Sequence, residues 1–392
     1  MRYCSRCVMP ETAETLTFDA DGICSVCRQI EVQKSTIDWA ARGAELDALI
    51  AQFRGHYDYD CIVPFSGGKD STFTLWYLVV VKKVKPLVVR FDHGFMRPTV
   101  DANARRTFRR LGCDVIQFTP NWQVVRKLMF ESLKRRGDFC WHCHTGIFSY
   151  PMWVSLKHKV PLLFWGEPSS EYGSFYGYHE LEEADERRFN RLVNLGINAE
   201  DMLGMVDDTI SDYRIEPRDL LPYTFPPSAE LRRAGTKSVF LGYYIPWDVK
   251  RQVDVIKREL DWQGDEVEGV PPQYDYEKIE CFMQGVRDYL RYLKRGFGRT
   301  THLVSIDIRN NRMDRPTAER LVGEYDGARP AALDLFLDIL GISEERFLEI
   351  VEPHVVAPHQ MPDCAACRAR PNKAPWDFDI WRQAVAAGKR PS

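Results

Sequence analysis

Six consecutive residues, Ser66-Gly67-Gly68-Lys69-Asp70-Ser71, have the types and spacing of a phosphate-binding loop. They follow the apolar run Cys61-Ile62-Val63-Pro64-Phe65, so a strand breaks into two glycines whose backbone N–H groups are free to face phosphate oxygens. A helix opening at Asp70 adds the positive end of its dipole, Lys69 adds a charge, and Ser66 and Ser71 add hydroxyl donors. The glycines are adjacent, whereas the Walker loop spaces them by four residues. The competing reading is an ordinary Gly-Gly turn between strand and helix.

Cysteines supply the second chemistry. Of the 11 in the chain, eight fall into four pairs with two residues between. Cys4 with Cys7 and Cys24 with Cys27 are joined by a segment carrying the turn signal Asp19-Ala20-Asp21-Gly22. Four thiolates on two short turns suit a tetrahedral Zn2+ of structural type, against a reading of four unrelated thiols. The pairs Cys140/Cys143 and Cys364/Cys367 are far apart in sequence, and each is half a site. Were the C-terminal tail to fold back, they would close a second metal centre. His142 and His144 beside the first pair are read as packed or solvent-facing before they are read as ligands. Cys61, Cys113 and Cys281 have no partner at useful spacing and read as small core residues.

The elements that must position these groups follow from patterning. At 392 residues the chain can bury a large core and divide into several domains. The net charge of −3 excludes a global field for nucleic acid, and no stretch reaches the length of a membrane span or resembles a signal peptide. A cytoplasmic location follows as the expectation, and with it metal sites rather than disulfides. A helix is expected over 37–53. Short apolar runs at 60–65, 87–92, 115–119 and 161–165 alternate with helical stretches near 70–83, 99–111, 121–136 and 145–158. This alternation predicts an α/β fold, a parallel sheet with helices on both faces, preceded by the cysteine region and followed by a mostly helical C-terminal part. The expected divisions are 1–35, 36–175, an irregular insertion over 176–247, and 248–392 with helices at 248–260 and 276–295.

Ligands of open sheets sit beyond the carboxyl ends of strands. Asp92 and Gly94 follow the second run, and Gly166-Glu167-Pro168-Ser169-Ser170-Glu171-Tyr172-Gly173 follows the fourth. Asp92 reads equally well as a turn residue. The aromatic and acidic insertion is expected to build a substrate pocket, with a lid or an oligomer contact as alternatives. Further on, Arg295-Gly296-Phe297-Gly298-Arg299 and Ile306 to Met313 combine permissive glycines with arginines. Arg299 and Arg309 can fork onto phosphate or sugar groups, or serve as salt-bridge partners in a helical cap.

The glycine loop resembles that of the PP-loop ATP pyrophosphatases, which cleave ATP between its α and β phosphates. That resemblance implies ATP and Mg2+, an adenine and ribose face at Phe91, Asp92, Gly94 and Gly166, and roles for Lys69 and Asp70 in charge neutralisation. Gly166-Glu167 is similar to a Gly-Glu segment of asparagine synthetase, where a glutamate assists ammonia attack and a nearby acid holds magnesium. The chain departs from that pattern at Pro168 and Ser170, leaving Glu171 or Asp70 for the metal.

Taken with the cysteine pairs and the Gly-Phe-Gly-Arg to Asn-Arg-Met block, these motifs resemble the N-acetyl sugar amidotransferase family of O-antigen and related surface-glycan pathways. The resemblance implies conversion of an N-acetyl group on a UDP-activated sugar to an acetamidino group, with Tyr172, Arg299 and Arg309 toward the sugar. It also implies a glutaminase and a cyclase-like barrel as ammonia-supplying partners. The alternative is a PP-loop enzyme that thiolates tRNA, in which the second cysteine set would hold an iron–sulfur cluster; no clear basic stripe supports it.

Overall fold

The computed structural model describes residues 1–166, 181, 183–194, 196–206, 212–368 and 378–390. Five parallel strands form one sheet in the order β3-β2-β1-β4-β5: Cys61–Pro64 (β1), Pro86–Phe91 (β2), Asp114–Phe118 (β3), Leu162–Trp165 (β4) and Lys237–Phe240 (β5). Every residue of β1, β2 and β4 is buried, as expected of central strands covered on both faces, whereas edge strand β3 is largely exposed. The fifth strand arises within the stretch read above as irregular. Lys237-Ser238-Val239-Phe240 is too short to give a periodic signal, and it forms because it pairs with all of β4, from Leu162↔Lys237 to Trp165↔Phe240.

The pleat sends alternate residues to two cores. Cys61, Val63, Val88, Leu162, Phe164 and Val239 pack with Leu46 of helix Trp39–Phe53 (α2), Phe73 of Lys69–Trp76 (α3), Val100 of Pro98–Leu111 (α4) and Ile256 of Val249–Leu260. Ile62, Leu87, Val89 and Leu163 face the other way onto Met152 and Val154 of helix Trp141–His158. Between α4 and that helix lies Trp122–Arg136, whose Asn121 caps it by accepting from Gln123 N at 2.9 Å. Its Val125, Met129 and Leu133 join the C-terminal helices Gln284–Arg295, Ala332–Leu340 and Glu344–Val351 in a separate core. The fold class is therefore as the patterning predicts. No helix among the described residues is long and apolar enough to cross a membrane.

The expected helix over 276–295 begins only at Gln284. Residues 276–283 run instead as irregular chain back to the sheet, and this departure shapes the site.

Candidate functional site

The strand order reverses between β1 and β4, and there the glycine loop lies. Gly67 adopts φ +89°, and a Cβ on it would stand 2.5 Å from Val100 Cγ1. Gly68 caps α3 in extended geometry. The loop is held by its own serines. Ser71 Oγ accepts from Gly67 N and donates to Gly68 O, both at 3.2 Å, and lies 3.2 Å from Ser66 Oγ. Trp262 Nε1 donates to Gly67 O at 3.3 Å. Gly67→Ala combines left-handed backbone with a core clash, so it should lower stability by about 2–3 kcal/mol in urea unfolding.

Lys69 turns inward, only 3% exposed, and its Nζ lies 2.8 Å from Asp70 Oδ2 and 3.1 Å from Glu277 Oε2. Glu277 is buried as well and sits 3.4 Å from Arg299 Nη1. Burial pushes its carboxyl up, but Lys69, Lys278 and Arg299 outweigh that and hold it down at about 2. Arg299 in turn reaches Asp288 at 3.1 Å, and Asp288 meets Arg291 at 3.2 Å. A chain of alternating charges thus runs from the loop lysine into helix Gln284–Arg295.

Beyond the loop opens a cavity of about 300 Å³. Ser66, Asp70 and Ser71 line it with Phe91 and Gly166 from the ends of β2 and β4, and Lys278 and Glu280 enter from the irregular segment. Glu280 lies so close to the loop that its Oε2 is 2.7 Å from where a Cβ on Gly68 would stand. Phe148 and Trp165 stack at 4.5 Å on the cavity wall. Gly166 is needed because a Cβ there would approach Asp70 O and Thr74 Oγ1 at 3.1 and 2.8 Å. Asp70 Oδ1 is buried with no partner among the described residues.

At the neighbouring strand end, Asp92 accepts from Gly94 N at 3.0 Å and Thr119 Oγ1 at 3.3 Å, and pairs with Arg390 of the C-terminal tail. Burial raises its carboxyl, but Arg390 and the Gly94 N–H bring it below the usual carboxylate range. Phe91 packs against Phe118, Tyr150 and Tyr223. Glu167, Glu171 and Tyr172 lie outside the described residues.

The N-terminal cysteines meet. Cys4, Cys7, Cys24 and Cys27 are buried with their sulfurs all within 4.8 Å of one another. Cys7 Sγ is 3.8 Å from Cys24 Sγ and Cys4 Sγ is 4.0 Å from Cys27 Sγ. Thiolates about 2.3 Å from a central ion form a tetrahedron with edges of about 3.8 Å, so the set fits one metal ion. The backbone N–H groups of Cys7 and Cys24 aim at Cys4 Sγ at 3.4 and 3.2 Å. Hydrogen bonding within the set favours the thiolate at Cys4 and Cys7 and the thiol at their partners Cys24 and Cys27. The Asp19–Gly22 turn forms as expected: Gly22 at φ +75° donates to Asp19 O at 3.1 Å.

Arg309, read from sequence as a candidate for sugar or phosphate, is buried here instead, with Nη1 3.9 Å from Cys7 Sγ. Arg315 completes the mount by donating to the carbonyls of Cys4 and Cys7 at 2.7 and 2.9 Å. Arg299 lies in the ion-pair chain behind the loop and does not line the cavity.

Cys140 and Cys367 are buried in the C-terminal core, and Cys143 and Cys281 pack against it; among the described residues only the four N-terminal cysteines bring their sulfurs close enough to share an ion. Cys364 opens a short helix, Cys364–Arg368, but its side chain lies outside the described residues. Cys281, read as an isolated core residue, shares this neighbourhood: burial first, and then the charges of Cys281 and other neighbours, push the Cys143 thiol above its usual range. His142 is buried against the His93 carbonyl at 3.3 Å. The residues that sequence reasoning missed are Glu277, Lys278 and Glu280, more than 200 residues beyond the loop, in a stretch whose pattern reads as part of one helix over 276–295.

Fold and site define an open parallel α/β protein whose glycine loop faces a cavity at the switch point of the sheet. Residues 273–362 match the family described as LPS biosynthesis protein WbpG-like, C-terminal domain. That stretch supplies Lys278 and Glu280 to the cavity, Glu277 to the ion pair behind the loop, and Arg309 and Arg315 to the cysteine cluster. An uncharacterized protein of Methanocaldococcus jannaschii is 26% identical over 137 residues, 34% of this chain and 47% of that protein, so the match spans about half the length of this relative. A solved structure, the U34-tRNA thiolase NcsA from Methanococcus maripaludis with its [4Fe-4S] cluster, aligns over 94% of this chain and 96% of its own at 14% identity and a TM-score of 0.32. A likeness at that level carries no argument here.

Proposed function

We propose that the chain is an ATP-dependent, AMP-forming amidotransferase that converts the N-acetyl group of a nucleotide-activated sugar to an acetamidino group in surface-glycan synthesis. The observation that carries this reading is the glycine loop opening on a cavity shared with Lys278 and the Glu280 carboxylate from the segment that matches the lipopolysaccharide-biosynthesis family. The amide oxygen attacks the α-phosphorus of ATP, and pyrophosphate leaves into the N–H groups and hydroxyls of Ser66 to Ser71, with Lys69 behind them. Ammonia then adds at the amide carbon, AMP departs carrying the oxygen, and a carboxylate takes the proton from nitrogen. By resemblance that carboxylate is Glu167.

Magnesium would neutralise charge on the phosphates. The orphaned Asp70 Oδ1 and the Glu280 carboxylate fit it, since a carboxylate set against phosphate-binding N–H groups repels phosphate unless a cation bridges the two. Glu280→Gln should therefore raise the magnesium concentration for half-maximal pyrophosphate release by about tenfold or more. The four-cysteine set fits a structural zinc ion. A second metal at Cys140, Cys143, Cys364 and Cys367 completes the assignment. Ammonia comes from a glutaminase subunit through a cyclase-like barrel.

The experiment is AMP release from ATP with ammonium chloride, offering UDP-linked N-acetyl sugars in one arm and bulk tRNA in the other, with zinc and iron quantified. Sugar-dependent AMP release, with product mass reporting exchange of oxygen for NH, is the expected result. Stimulation by tRNA with iron bound would overturn the proposal in favour of thiolation.

A further inference from the structure

A second cavity, of about 280 Å³, lies between the cysteine region and helix Gln284–Arg295, away from the glycine loop. A water occupies about 30 Å³ of liquid, so the space admits a phosphate and part of whatever carries it. Arg287, Arg291, Lys294 and Arg295 line it, against two acids, Glu14 and Asp138. These cations fall at i, i+4, i+7 and i+8, one face of the helix. Like charges a turn apart oppose each other. The helix dipole accounts for Lys294 and Arg295 in the last turn, but not for Arg287 and Arg291 upstream.

Acids offset only part of this charge: Asp288, outside the lining, lies 3.2 Å from Arg291 but is shared with Arg299. Arg287 Nε is buried 3.5 Å from Asp138 Oδ2, yet it makes no hydrogen bond among the described residues. Glu14 pairs with Arg295 at 2.7 Å. Among the described residues, Lys294 Nζ hydrogen-bonds the Arg136 carbonyl alone, at 3.4 Å. Four cations against the two lining acids leave an excess of positive charge that the shared Asp288 lowers without cancelling, taking His302 as neutral.

We propose that this cavity is a second anion site, built for a dianionic phosphate. Two sources share that chemistry: the diphosphate of a nucleotide-activated sugar, and free inorganic pyrophosphate. The first source rests on the proposed function; the site itself does not.

The test is calorimetric titration of UDP, and separately of inorganic pyrophosphate, into full-length protein, into Lys294→Glu and Arg291→Gln, and into Lys69→Met. UDP affinity should fall about tenfold or more in both pocket variants and stay within about twofold in Lys69→Met. A pyrophosphate site that survives Lys69→Met and disappears in Lys294→Glu, without UDP binding, supports the anion site and assigns it to the free ion. UDP and pyrophosphate affinities unchanged in both pocket variants, with circular dichroism confirming the fold, would overturn the proposal. Binding of an acidic protein segment there, with neither phosphate probe competing, would overturn it too. Sugar-dependent AMP release, measured separately with saturating sugar, reports on the proposed reaction whatever the pocket variants do.

Discussion

Lys69→Met should reduce pyrophosphate release from ATP by about 10²–10³-fold, the effect of deleting one preorganised donor to developing charge. Methionine keeps the length of the stem, so the change isolates the ammonium. In the wild type that ammonium is held behind the loop by Asp70 and Glu277 at 2.8 and 3.1 Å, so its charge acts on the loop from a fixed position. The variant also leaves Glu277 buried with one fewer cation. Glu277 sits at about 2 when folded against an ordinary 4.5, although burial works the other way, because Lys69, Lys278 and Arg299 favour its charged form. Such a depressed carboxyl contributes stability that is complete above pH 4.5 and disappears as pH falls toward 2, a contribution of roughly 3 kcal/mol. Losing Lys69 moves the folded value back up, so the acid-unfolding midpoint should shift to higher pH. Undiminished pyrophosphate release by the variant would remove the loop from the reaction.

Cys24→Ser should release one metal equivalent and destabilise the protein by more than about 4 kcal/mol, the range reached when a structural metal is lost. The effect is not confined to the first residues. Arg315 holds the Cys4 and Cys7 carbonyls, Arg309 rests on Cys7, and Thr12 Oγ1 donates to Arg295 O at 2.6 Å, so three C-terminal anchors depend on the cysteine turns. Elemental analysis with guanidinium unfolding checks this. Cys113→Ser, away from the cluster, should keep the metal. If Cys24→Ser retained both metal and stability, the four thiols would be packing residues.

The sheet and the loop were legible because their signals are local. A strand, two glycines and a helix start are contiguous, and the buried runs of β1 and β4, with that of β2 broken only by Arg90, have the apolar character of parallel strands. The four-cysteine cluster was legible for the same reason, being closed by one recognisable turn. Arg309 was not, since an arginine on a helix face looks the same whether it meets a phosphate or a sulfur. Glu277 and Glu280 were hidden more deeply: nothing in Tyr276 to Met283 says that it runs back to the sheet, because tertiary contacts and not propensity set its course. Lys237–Phe240 was missed for its length alone.

The buried charges Lys69, Glu277, Arg299 and Asp288, with the partly exposed Arg291, join the glycine loop to the second cavity, the two places proposed to bind phosphate. None of the five can move its charge to water without leaving a neighbour unpaired. Free energy exchanged along such a series is reciprocal. If both proposed sites fill, whatever factor a ligand in the second cavity adds to the affinity of the loop for ATP, ATP must return to that ligand in equal measure, so the order of arrival cannot change the stability of the complex they form together.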